Sequence, residues 1–130
     1  MGVFRDPQLN IYITDIDVSL RFYRDLLGFT ETFRTPADGV PVHVELRLGE
    51  FTLGLADIVE VRGTHGVEVG PTGLPRAEVV LWTDDVDTAV AALEARGVPV
   101  LSKPHDFIET LRAAWVADPD GNPVQLVTRR

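Results

Sequence analysis

The chain has 130 residues, 45% of them hydrophobic and 25% charged, ordinary proportions for one compact domain. Its formal net charge of −8 argues against nucleic acid as a partner, because phosphate binding needs a basic face. Cysteine is absent, which excludes disulfides, thiolate catalysis and Cys-ligated metals, and no apolar run is long enough to span a bilayer. The first residues, MGVFRDPQLN, lack the apolar core of a signal peptide, so a cytoplasmic protein is expected.

Gln8 to Thr14 alternates, with Leu9, Ile11 and Ile13 on one face and Gln8, Asn10 and Tyr12 on the other, which predicts a half-buried strand. Asp15 is suited to cap a helix in which Ile16, Leu20, Tyr23 and Leu27 recur at helical spacing, and Gly28 stands where a left-handed terminator belongs. Phe29 to Arg34 reads as a second strand, followed by a Pro-Ala-Asp-Gly turn at Pro36 to Gly39. Pro41 to Leu48 alternates again, with His43, Glu45 and Arg47 opposite Val42, Val44, Leu46 and Leu48, and Gly49-Glu50 turns the chain into Phe51 to Ala56. Ile58 to Arg76, punctuated by Gly63, Gly66, Gly70, Pro71, Gly73 and Pro75, is expected to be a connector without a helix.

The second half repeats the order. Asp15 aligns with Asp85, Asp17 with Asp87, Leu20 with Val90 and Tyr23 with Leu93, so a strand-turn-helix unit occurs twice. Glu78 to Thr83 is then a strand, and Asp84 or Asp85 caps a helix that ends at Gly97. Val98 to Leu101 reads as a short strand, His105 as part of a loop, and Phe107 to Ala117 as one long strand. Asp118-Pro119-Asp120-Gly121-Asn122 is a turn sequence, and Pro123 to Thr128 closes the chain as a strand. The expected layout is a first module over residues 1–57, a connector over 58–76 and a second module over 77–130, sharing one domain because either half alone buries too little surface.

The duplicated βαβββ order, the FYRDLLGF segment at Phe22 to Phe29 and the DPDGN turn at Asp118 to Asn122 resemble the vicinal oxygen chelate superfamily, which takes in glyoxalase I, extradiol dioxygenases and the fosfomycin- and bleomycin-resistance proteins. The resemblance covers about Gln8 to Val127. It implies an α+β fold of two tandem βαβββ modules whose open, curled mixed sheet surrounds a ligand cleft. It also implies a divalent metal held by the first and last strands of each module, at positions that fall here on Gln8, Gly54 within one residue, Glu78 and Gln125. Gly54 has no side-chain donor, and Gln125 offers a neutral amide where the family commonly has a glutamate, so this set is a poor one for a metal.

With no metal or other cofactor expected, the same strand faces become the lining of a ligand site: Gln8, Asn10 and Tyr12; His43, Glu45 and Arg47; Glu78 and Trp82; Phe107 and Trp115; and Gln125. Alternation leaves open which of Phe107 and Trp115 faces that site. His43, His65 and His105 are each expected to be surface or hydrogen-bonded histidines, and no Ser/His/Asp order, phosphate-binding glycine loop or HExxH spacing is present. Aromatic plates among a few polar groups suit a flat organic ligand, and Glu45 and Glu78 suit a cationic group on it. The resemblance to the antibiotic-binding branch thus implies a non-catalytic protein that sequesters an aromatic or cationic natural product, as a homodimer with clefts between protomers. The alternative is a metal-dependent enzyme of the glyoxalase or dioxygenase type, with Gln8, Glu78 and Gln125 plus water or His43 as ligands of a divalent metal.

Overall fold

A computed structural model describes residues 2, 3 and 5–130. The chain forms two compact units, Met1–Thr72 and Gly73–Arg130. Each is a four-stranded mixed sheet with helix packed on one face. In the first unit β1 (Leu9–Ile13), β2 (Thr30–Thr35), β3 (His43–Leu48) and β4 (Phe51–Asp57) take the spatial order β1-β4-β3-β2, with β1 and β4 parallel and the other pairs antiparallel. In the second, β5 (Val79–Trp82), β6 (Val100–Phe107), β7 (Leu111–Ala117) and β8 (Pro123–Arg129) repeat that arrangement as β5-β8-β7-β6. These are the two βαβββ modules of the α+β fold that the resemblance implies, and neither sheet closes on itself.

Local sequence accounts for the helices. The Asp15 carboxylate accepts from Asp17 N and Val18 N and starts α1 (Ile16–Leu20), which continues as a π-helical segment, Arg21–Leu26. In that wider turn Leu27 N donates to Phe22 O, which lets the adjacent Phe22 and Tyr23 both bury. A pure 3.6-residue period puts only Tyr23 on the inner stripe. The two rings meet edge to face at 4.8 Å, over a core made by Ile13, Val44, Leu46, Leu53 and Leu55. Gly28, at φ 88°, ends the segment as its sequence predicts. In the second unit Asp85, rather than Asp84, caps α3 (Val86–Ala95), whose Val86, Val90 and Leu93 are buried against the sheet.

Three expectations are corrected. The connector contains a helix, α2 (Ile58–His65), so His65 is helical, and α2 lies within the first unit. Asp57 caps it by accepting from Glu60 N, and Gly66 closes it in the left-handed region. The short strand read at Val98 to Leu101 runs instead from Val100 to Phe107, and His105 belongs to it. Finally, Phe107 to Ala117 is not one strand: Ile108, Glu109 and Thr110 form a turn between β6 and β7. Pro104 is tolerated inside β6 because β6 is the sheet edge and its pairing with β7 shifts register between Ser102 and His105. No helix among the described residues is long and apolar enough to cross a membrane.

Candidate functional site

In each unit the helices cover one sheet face, and the candidate residues stand on the other. In the first unit β-pairing aligns Asn10 and Glu45 with Gly54, and Tyr12 and His43 with Ala56. The side chains on this face form a polar chain. Gln8 Nε2 donates to Asn10 Oδ1 at 2.9 Å and to Glu45 Oε2 at 3.4 Å, and His43 Nε2 lies 3.2 Å from the same Glu45 oxygen. Glycine at 54 is what lets this chain lie flat: a β-carbon there would overlap Asn10 Oδ1 and stand 3.1 Å from His43 Cε1. Tyr12 remains 43% exposed beside it. Arg47 follows the same alternation, but its guanidinium turns to the hairpin and donates from Nε to Gly49 O.

The second unit carries the aromatic part. Pairing aligns Val80 and Trp115 with Gln125, and Trp82 and Ala113 with Val127. Trp115 Nε1 donates to Glu78 Oε2 at 2.8 Å, which fixes the indole on this face. His105 stacks on the Trp115 ring, with centroids 5.9 Å apart and planes 19° from parallel. Phe107 pairs with Leu111, two positions of alternation from Ala113, and so shares the face. The question alternation left open is therefore resolved in favour of both rings, because they belong to different strands. Trp82 is 56% exposed, and Arg129 Cζ sits 4.7 Å from its ring centroid.

The structure thus brings Gln8, Asn10, His43 and Glu45 together in one unit, and Glu78, Trp115 and Gln125 in the other. His105 and Arg129 are members of the second face that the sequence reading did not assign to it. The sequence reads His105 as part of a loop and ends the last strand at Thr128, one residue before Arg129. Strict alternation carried one step further along β8, from Gln125 through Val127 to Arg129, finds the latter.

The chain belongs to the Glyoxalase/Bleomycin resistance protein/Dioxygenase superfamily, whose family model matches residues 7–126. Among particular proteins it is similar to the uncharacterized protein YaeR of Escherichia coli K12, 29% identical over 133 residues that cover 97% of each chain. A glyoxalase/bleomycin resistance protein/dioxygenase family enzyme from Burkholderia phytofirmans PsJN has the same fold at a TM-score of 0.80, with 20% identity over 96% of this chain and 98% of that one. Lactoylglutathione lyase from Agrobacterium tumefaciens matches at a TM-score of 0.71, with 24% identity over 94% of this chain and 92% of that one.

The strand register permits a direct test of whether the residues present fit the metal that the fold family implies. Gly54 pairs with Asn10 and Glu45 as Gln125 pairs with Val80 and Trp115, so these are equivalent positions on the last strand of each module. At Gly54 the space for a donor side chain is filled by the Asn10 carboxamide. The nitrogen end of the Gln8 carboxamide is engaged with Asn10 and Glu45. The one carboxylate of the set, Glu78, takes the Trp115 indole N–H. No group of three or more His, Cys, Asp or Glu side chains among the described residues is placed to hold a metal. Two amides and one committed carboxylate do not fit a catalytic divalent ion.

Proposed function

We propose that this protein binds a flat aromatic or cationic small molecule without transforming it, and protects its host by sequestering that molecule. The observation that carries the reading is the hydrogen bond from Trp115 to Glu78. The carboxylate at a metal-ligand position of the fold is used here to fix an aromatic plate. An indole anchored at its N–H and backed by His105 loses little freedom when a second ring stacks on it, which lowers the entropic cost of binding.

Stacking supplies about 0.5–1.5 kcal/mol per aromatic pair, whereas micromolar affinity corresponds to about 8 kcal/mol. The balance has to come from burying the ligand's apolar surface and from charge. Each helix-free face carries a carboxylate for a cationic substituent, Glu45 in the first unit and Glu78 in the second. No cofactor takes part in this reading. The protein acts in the cytoplasm, and the resemblance to the resistance proteins extends the proposal to a homodimer, which light scattering of the purified chain checks.

The test is a titration of chelator-treated protein with a panel of aromatic antibiotics, followed by tryptophan fluorescence, with metal content determined on the same sample. Saturable quenching in the absence of metal is the expected outcome, and it is weakened in Trp115→Phe. One tightly held divalent ion per chain, together with turnover of a vicinal-oxygen substrate that disappears in Glu78→Gln, would overturn the reading in favour of a metal-dependent enzyme.

A further inference from the structure

At the end of the second sheet where β5 and β8 finish, Trp82, Thr83, Asp84, Thr128 and Arg129 line a shallow recess of about 480 Å³. We propose that this recess is a separate subsite for a planar aromatic anion of the carboxylate class. This rests on the reading that the helix-free sheet face binds aromatic ligands, and it fixes the sign of the charge at one end of that face.

The argument is an inventory of donors. Arg129 lies over the Trp82 ring with its Cζ 4.7 Å from the centroid, so the cation-attracting face nearest the guanidinium is already taken by a cation. Among the described residues no acceptor takes the Arg129 guanidinium N–H groups, and none takes the Trp82 indole N–H. This is unlike Arg24, Arg34 and Arg112, each of which is paired to a carboxylate. The Thr83 hydroxyl accepts from Asp85 N and keeps its own hydrogen to give. Thr128 Oγ1 is already turned to the Arg129 carbonyl. An arginine seated over a ring keeps N–H groups on the planar edge of its guanidinium, and that edge matches the two oxygens of a carboxylate.

Asp84 is the opposing group, an exposed carboxylate in the same recess. It gives the proposal a test by sign. An anionic ligand is repelled by Asp84 and held by Arg129; a cationic ligand reverses both dependences.

The experiment follows the indole signals of the two tryptophans in ¹H–¹⁵N spectra of the full chain, assigned with Trp82→Phe and Trp115→Phe. The probes are 2-naphthoate and the equally sized 2-naphthylmethylammonium. The expected result is a saturable shift of the Trp82 signal by 2-naphthoate, about tenfold tighter than by the ammonium probe, a preference that Arg129→Met removes. Arg129→Lys keeps the charge but not the planar edge and is expected to retain only part of the preference. Asp84→Asn is expected to tighten 2-naphthoate binding. Asp84 and Arg129 are both exposed, and an unchanged amide spectrum shows that each variant is folded. Tighter binding of the ammonium probe that is lost in Asp84→Asn would overturn the proposal, as would the absence of any Trp82 shift with either probe. Neither result touches the reading of the Trp115 plate, which is tested separately by the Trp115 signal and by the antibiotic titration with its metal analysis.

Discussion

Gly54 and Asn10 act as one unit: the carboxamide occupies the volume that any other residue at 54 would need. Gly54→Ala is therefore expected to turn the exposed Asn10 carboxamide aside and break its bond from Gln8, at a cost of about 1 kcal/mol or less, measured as a lower urea midpoint. That loss should not add to the loss from Asn10→Ala in the double variant, and a wild-type midpoint for Gly54→Ala alone would show that Asn10 moves aside freely. At Trp115 the effect is on position more than on stability. Glu78→Ala leaves the indole N–H without its acceptor, at a cost of about 1 kcal/mol, and the tryptophan emission is expected to shift to the red with weaker quenching by aromatic ligands. The orientation of Glu78, Trp82 and Gln125 was legible in the sequence because strict alternation along a strand assigns faces without knowledge of the partner strand. That of His105 was not, because Pro104 reads as a strand breaker unless the strand is known to lie at an edge.

At the scale of elements, the caps explain why the two helices that cover the sheets start where they do. Asp15→Ala is expected to cost about 1 kcal/mol, read from chemical unfolding. Asp85 adds a pH dependence. The hydrogen bond from the Thr88 hydroxyl, with that from Thr88 N, holds its carboxyl below the ordinary value, and Arg112 does the same for Asp87. A carboxylate depressed in the folded state stabilises the fold above its unfolded value, about 3.9 for aspartate. That contribution is lost as the pH falls through the lower folded value. Stability should accordingly decline as pH falls from about 5 towards 3, with a shallower decline in Asp85→Ala; parallel curves for variant and wild type would remove Asp85 from the account. The strands of the first unit, β5, β8 and the two capped helices were legible because burial on one face imposes a period on the sequence. α2 was not: none of its residues is buried, so it carries no apolar stripe. Its only marks are the capping pattern Asp57 to Glu60 and the terminating Gly66, signals that the neighbouring glycines obscured. The β6–β7 turn was missed for a related reason, since Ile108 occupies it at φ 39°, a conformation no β-branched residue announces.

For the whole molecule the acidic balance is the dominant long-range term. A net charge of −8 on 130 residues makes the folded state repel itself, with an isoelectric point near 4.7. Raising the salt from about 20 to about 200 mM shortens the screening length from roughly 20 to roughly 7 Å and is expected to raise the thermal midpoint; a fall would mean that the surface ion pairs, such as Arg24 with Glu31 and Arg112 with Asp87, outweigh the repulsion. The duplication itself was legible at this scale because two aspartates, each capping a helix after a strand, recur in register. The contacts within each copy were not, since they depend on which side chains meet: Gln8, Asn10, His43 and Glu45 form a polar chain in the first unit, and Glu78, Trp115 and His105 an anchored aromatic stack in the second.

The Gly54–Asn10 pair also has a consequence for how the two positions tolerate change. A side chain at 54 displaces the Asn10 carboxamide from where it now lies, and with it the bond from Gln8. The two positions are therefore expected to behave epistatically: what is accepted at one depends on what stands at the other.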